Sequence, residues 1–145
     1  MKTKIPPPVI CLIAMLVMYY LPPLIRLPQA HWLVAILVGL SGIVGVASVI
    51  SFKLAHTTIT PLHPEQTSQI VTTGIYRFSR NPMYLSIMIF LTAWAVYLEN
   101  ALALLVLPIF VFCLNYLQII PEEQILEQNF GEEYLAYKRA VRRWL

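Results

Sequence analysis

Four apolar stretches, each without a charged residue, govern what this 145-residue chain can become. They cover about residues 9–25, 32–52, 83–98 and 101–120. A bilayer hydrocarbon core of about 30 Å is crossed by about 20 helical residues. Each stretch therefore reads as a helix that crosses, or nearly crosses, a membrane. The residue usage agrees: 59% of the chain is hydrophobic and only 12% charged. Soluble domains run at about 45–50% and about 25%. So few polar residues cannot coat a soluble enzyme, and the composition excludes a disordered chain and a disulfide scaffold. The expected fold is all-α. It is a single polytopic membrane domain over residues 1–145, with about four transmembrane helices and a cytoplasmic C-terminal helical cap.

Local signals refine the spans. Pro22-Pro23 should bend or end the first. The second carries Gly39, Ser41, Gly42, Gly45 and Ser48, small residues that let another helix approach closely. Pro108 predicts a kink in the fourth. Glu99-Asn100 alone separates the third from the fourth, which predicts a tight helical hairpin with Asn100 in a structural role. A signal peptide is the alternative reading of the first span, with Lys2 and Lys4 before it. No small-residue cleavage site follows, so the span is preferred. Cys11 and Cys113 lie inside apolar runs and read as free, inert thiols. No Cys/His pattern suggests a metal.

The net charge of +3 is too small, and too close to apolar segments, for nucleic-acid binding. Lys2 and Lys4, then Lys53, Arg77 and Arg80, then Lys138, Arg139, Arg142 and Arg143 flank the spans in an order that predicts both termini on the cytoplasmic side. Two polar segments, residues 53–82 and 121–145, then share that side. The second reads as helix from Pro121, with Glu122 and Glu123 in its first turn, a break at Asn129-Phe130-Gly131 and a restart at Glu132. Its end could lie on the membrane surface, with Trp144 as an interfacial anchor. No charge within the apolar stretches argues for an ion pathway.

The densest chemistry lies in Gly74-Ile75-Tyr76-Arg77-Phe78-Ser79-Arg80-Asn81-Pro82-Met83-Tyr84. It is paired with Pro121-Glu122-Glu123, then Phe130-Gly131-Glu132-Glu133-Tyr134 and Tyr137-Lys138. This pairing resembles the isoprenylcysteine carboxyl methyltransferase and phospholipid methyltransferase superfamily of integral membrane enzymes. The resemblance covers about residues 68–143, with cofactor motifs at about 68–84 and 121–137. It implies S-adenosylmethionine as cofactor. It implies cofactor contacts from Gln69, Ile70 and Val71 as an incoming strand, from Tyr76, from the turn Asn81, Pro82, Met83 and Tyr84, and from Glu122. Arg80 and Asn81 become candidates for positioning, and no catalytic base is assigned. Asn81 stands where the eukaryotic pattern most often has His. Gln118 stands where the carboxyl methyltransferase branch tends to have a basic residue, which places it near the substrate and weakens a prenylcysteine carboxylate as that substrate.

The residue chemistry is compatible. A polar sulfonium donor arrives from the cytosol and a lipophilic acceptor stays in the bilayer, so the two meet at the cytoplasmic end of the spans. In-line methyl transfer needs mainly alignment, and tyrosine rings attract a sulfonium. Each residue also has a plainer reading. Arg77 and Arg80 read as flank charges when taken alone, and Glu122 and Glu123 as helix N-terminal acids. Tyr134 and Tyr137 read as packing or interfacial aromatics, His56 and His63 as loop residues, and the final Lys/Arg cluster as a lipid-facing patch. The preferred expectation is methylation of a small lipophilic acceptor, a carboxylate first and an amine, as in phospholipid N-methylation, second. The partners implied are a lipophilic or lipid substrate and membrane lipids, in a bacterial or archaeal cytoplasmic membrane. A catalytically silent membrane scaffold or complex subunit is the alternative from another class.

Overall fold

The computed structural model describes residues 5–55 and 69–145. His56, His63 and Glu65 lie outside the described residues. The fold is all-α, with five helices among the described residues: α1 (Pro7–Tyr20), α2 (His31–Leu54), α3 (Pro82–Tyr97), α4 (Ala101–Phe130) and α5 (Glu132–Ala140).

The expected four spans are corrected to two. Among the described residues only α2, with 24 residues, and α4, with 30, are long and apolar enough to cross a membrane. α1 has 14 residues and α3 has 16. At 1.5 Å per residue, helices of that length reach about 21–24 Å, short of a hydrocarbon core of about 30 Å. The causes are local. α1 starts at the Pro6-Pro7-Pro8 run and stops ahead of Pro22-Pro23. α3 starts at Pro82 and stops where Glu99 takes a positive φ of 52°.

α4 is longer than its apolar part because it does not stop at Pro121. It begins as a 3-10 turn (Ala101–Leu105), becomes α-helical (Val106–Leu114), widens into a π-turn (Asn115–Ile119) and continues as α-helix (Ile120–Phe130). Proline lacks the N–H that would bond four residues back, and its ring crowds that carbonyl. A π-turn just before Pro121 loosens this register and lets the helix run on. Pro108 falls in the first turn of the α-helical part, where proline is tolerated.

α3 lies between α1, α2 and α4. Ile10, Ala14 and Met18 of α1 meet Tyr84, Leu91 and Ala95 of α3 and Phe110, Leu114 and Ile119 of α4 in one buried cluster. The α2–α3 seam uses the small residues. Ser41 Oγ donates to the Ser86 carbonyl at 2.8 Å, and a Cβ at Gly45 would sit 3.4 Å from Ser86 Oγ. Ser41, Gly45 and Ser48 are one face at helical spacing, with Ser48 fully buried. Gly39 and Gly42 point to open space, so they are not part of the seam. Trp32, Ile36, Ile43, Val46 and Ile50 on α2, and Ile109, Phe112 and Tyr116 on α4, face outward. Such apolar outer faces are consistent with membrane association.

At the end of the molecule away from Glu122, the α1–α2 connection pairs with the α3–α4 turn. Leu27 N–H donates to the Glu99 carbonyl at 2.8 Å, and Ala101 N–H to that of Ile25 at 2.9 Å. Asn100 is buried and structural, as expected. Its Oδ1 accepts from Leu102 N–H and its Nδ2 donates to the Leu21 carbonyl, both at 3.0 Å.

Candidate active site

The two polar blocks converge at the end of the molecule where α2 finishes, α3 begins and α4 passes from apolar to acidic residues. Gly74–Arg77 forms a short 3-10 turn, with Gly74 at a φ of +61°. A Cβ there would lie 2.6 Å from Ser51 Oγ, so glycine is required both for the backbone and for the close approach to α2. The turn carries Tyr76 inward, 6% exposed, with its ring edge-to-face on Phe52 at 5.2 Å.

The motif blocks meet through three contacts. Tyr84 Oη donates to Glu122 Oε1 at 2.7 Å. Tyr137 Oη donates to the Tyr76 carbonyl at 2.8 Å. Arg80 Nη1 lies 3.0 Å from Glu123 Oε1, an ion pair with both side chains buried. Glu122 itself is half-buried, and lies beyond the apolar part of α4. Burial pushes its carboxyl up to about 7; the Tyr84 hydrogen bond opposes this rise and the neighbouring Glu123 charge adds to it. Burial likewise raises the Tyr134 and Tyr137 hydroxyls, Tyr134 to about 12, and the protonated Tyr137 hydroxyl is the donor to Tyr76.

After α5, residues 141–145 leave the helix and cross back over the motif as a strap. Arg80 N–H donates to the Arg142 carbonyl at 3.0 Å, and Asn81 Nδ2 to the Arg143 carbonyl at 3.1 Å. Arg143 Nε and Nη2 meet Glu123 Oε1 and Oε2 at 3.1 and 2.7 Å. Lys138 Nζ pairs with Glu127 and lies 3.8 Å from Glu123. Trp144 Nε1 donates to Asn115 Oδ1 at 3.2 Å and packs against the core cluster. Of the four terminal cations read as a lipid-facing patch, Lys138 and Arg143 turn inward to Glu123, Arg139 makes an exposed pair with Glu132, and the Arg142 side chain is exposed. Trp144 is an internal contact as well.

Several expected site residues fall together: Tyr76, Tyr84 and Glu122 form one cluster, while Arg80 turns to Glu123, Asn81 to the strap, and Pro82 is buried at the start of α3. Met83 is partly buried in the first turn of α3. Gln69, Ile70 and Val71 are irregular rather than a strand; Val71 is buried, Ile70 partly so, and exposed Gln69 donates its side-chain N–H to the Ala55 carbonyl. Gln118 is fully buried in the π-turn, one turn before Glu122, and its Nε2 donates to the Ile5 carbonyl. The sequence reading left Glu123, Tyr137 and Arg143 without site roles. Neither Glu123 nor Arg143 had a local signal, because their 20-residue separation is closed only by the strap.

A model of the phospholipid methyltransferase family matches residues 29–133. This chain belongs to the phospholipid methyltransferase family. Membership implies a methyltransferase family that uses S-adenosylmethionine. Among similar proteins, an uncharacterized protein of Haemophilus influenzae is 51% identical over 63 residues, which is 43% of this chain and 100% of that protein. Protein-S-isoprenylcysteine O-methyltransferase A of Arabidopsis thaliana is 29% identical over 128 residues, 84% of this chain and 65% of that one. Its paralogue B is 26% identical over 131 residues, 86% and 66%. The chain therefore spans just under two thirds of the length of these plant enzymes.

The cluster fits this family's cofactor by its chemistry. A half-buried carboxylate held by one phenol, beside two tyrosine rings, suits a ligand carrying sulfonium and ammonium charge. Among the described residues no group of three or more His, Cys, Asp or Glu suits a metal.

Proposed function

We propose that this chain methylates the head-group amine of a membrane lipid, using S-adenosylmethionine held at Tyr76, Tyr84 and Glu122. The observation that carries the reading is the Tyr84–Glu122 contact, which joins both motif blocks into one acidic, aromatic cluster. The family match supports an amine acceptor over the carboxylate that was expected first. So does Gln118, a neutral side chain one turn before Glu122 with no charge to attract a carboxylate. The plant relatives favour the second reading, carboxyl O-methylation.

When bound, the cofactor supplies a methyl group activated by its sulfonium. Glu122 would take the cationic part of that ligand, with Tyr84 orienting the carboxylate. The Tyr76 and Tyr84 rings would attract the sulfonium by cation–π interaction. Arg80 and Asn81, tied to the strap, hold the turn that carries Tyr84. α2 and α4 both run toward this end, and α3 starts from it. We place the end at the cytoplasmic face of the membrane, where basic residues flank the apolar helices. The acceptor enters sideways from the bilayer, and alignment supplies most of the catalysis.

The test is transfer of radiolabelled methyl from S-adenosylmethionine into a total lipid extract by the detergent-solubilised protein. Base-stable label in an amine-bearing phospholipid supports the proposal. Base-labile label establishes the ester reading instead. No cofactor binding and no transfer, even at millimolar cofactor, leaves a membrane scaffold.

A further inference from the structure

Glu123 is the most enclosed acid at this end of the molecule, 5% exposed, and it is surrounded by cations from three elements. Arg80 reaches it from the motif turn, Lys138 from α5 and Arg143 from the strap. Arg143 is the best placed, with two nitrogens on the two carboxylate oxygens. The same residue's carbonyl receives the Asn81 side-chain N–H, and Ser79 Oγ lies 3.5 Å from it. Asn81 N–H in turn donates to Ser79 Oγ at 3.1 Å. One strap residue thus touches both the acid beside Glu122 and the turn that leads to Tyr84.

We propose that Arg143 is a positioning residue for cofactor binding: it offsets the Glu123 charge next to Glu122 and pins the Ser79–Asn81 turn through its main chain. This rests on the reading of Glu122 as the cofactor's acid. Glu122 is faced by Tyr84 from α3, by Tyr76 from the 3-10 turn and by Glu123 on its own helix. Glu123 opposes ionisation of Glu122 unless its charge is offset, and Arg143 makes the tightest offset.

The experiment measures S-adenosylmethionine affinity of the full chain in detergent across pH, for wild type, Arg143→Ala, Arg143→Lys and Glu123→Gln. Arg143→Ala should weaken binding about two- to five-fold near neutral pH. Its pH midpoint should move up by roughly half a unit to one unit. Arg143→Lys should recover most of both. Glu123→Gln should move the midpoint the other way, downward, because it removes the like charge. A purely structural role would weaken binding in both variants without opposite midpoint shifts. Unmoved midpoints, or shifts of the same sign, overturn the proposal. Should Arg143→Ala not fold, the Glu123→Gln midpoint and the Arg143→Lys affinity decide it by the same signs. Wild-type protein that binds no cofactor would instead overturn the reading of Glu122.

Discussion

The Tyr84 hydroxyl and the Glu122 carboxylate meet at 2.7 Å although 38 positions separate them in the chain. The hydrogen bond stabilises the ionised carboxylate against the burial that raises its pKa. Tyr84→Phe removes this donor while keeping the ring. Cofactor affinity near neutral pH should then fall about three- to ten-fold, with helicity unchanged. Titration calorimetry in detergent measures it.

Glu122→Ala should abolish cofactor binding while the fold survives, and Tyr76→Ala should abolish it at a cost of about 3 kcal/mol in stability, because its ring is buried against Phe52. Glu122 is half-buried and makes a single hydrogen bond to Tyr84 within the described residues, so little of the fold depends on it. Equilibrium binding and circular dichroism on the same samples check both halves. Unchanged affinity in both variants would remove the assigned pocket.

The same carboxyl gives the stability a pH dependence. Its folded value is raised from 4.5 to about 7. Between those values the folded state holds a proton that the unfolded state has released. The contribution is therefore fully present below about 4.5 and is lost as pH rises through about 7. Glu122→Gln should flatten this fall and raise the melting temperature relative to wild type above pH 7. Thermal unfolding across that range, read by fluorescence, tests the sign.

Gly74→Ala should destabilise the protein by about 1–3 kcal/mol, because the backbone is at +61° and the new Cβ would strike Ser51 Oγ. Adding Ser51→Ala should relieve the clash and leave the backbone cost. The recovery on denaturant unfolding separates the two contributions, and full recovery would show that φ contributes nothing.

Asn100→Ala should cost about 1–2 kcal/mol. It strips a cap from the Leu102 N–H and leaves the Leu21 carbonyl without its donor at the α1–α2 connection. A stability within error of wild type would show that water replaces both bonds.

The helical class and many of the helix ends were legible because they follow from nearest neighbours. Apolar runs and the break at Gly131, which takes a φ of +52°, act over a few residues; the prolines that start α1 and α3 were not read as such. The cluster of Tyr76, Tyr84 and Glu122 was legible only through family resemblance, since no local rule pairs residues so far apart. Helix length was misread. Apolarity extends beyond where the backbone stays helical at Pro22-Pro23, and the helix extends beyond the apolarity at Pro121.

Hydrophobic content and chain-breaking residues settled an all-helical chain with apolar outer faces, because burial preference and backbone sterics belong to each side chain and its immediate neighbours. Packing in three dimensions settled the rest: which acid faces the tyrosines, which is locked among cations, and where residues 141–145 return. Those outcomes depend on distances between segments, and a buried charge takes whichever partner the fold brings within about 3 Å.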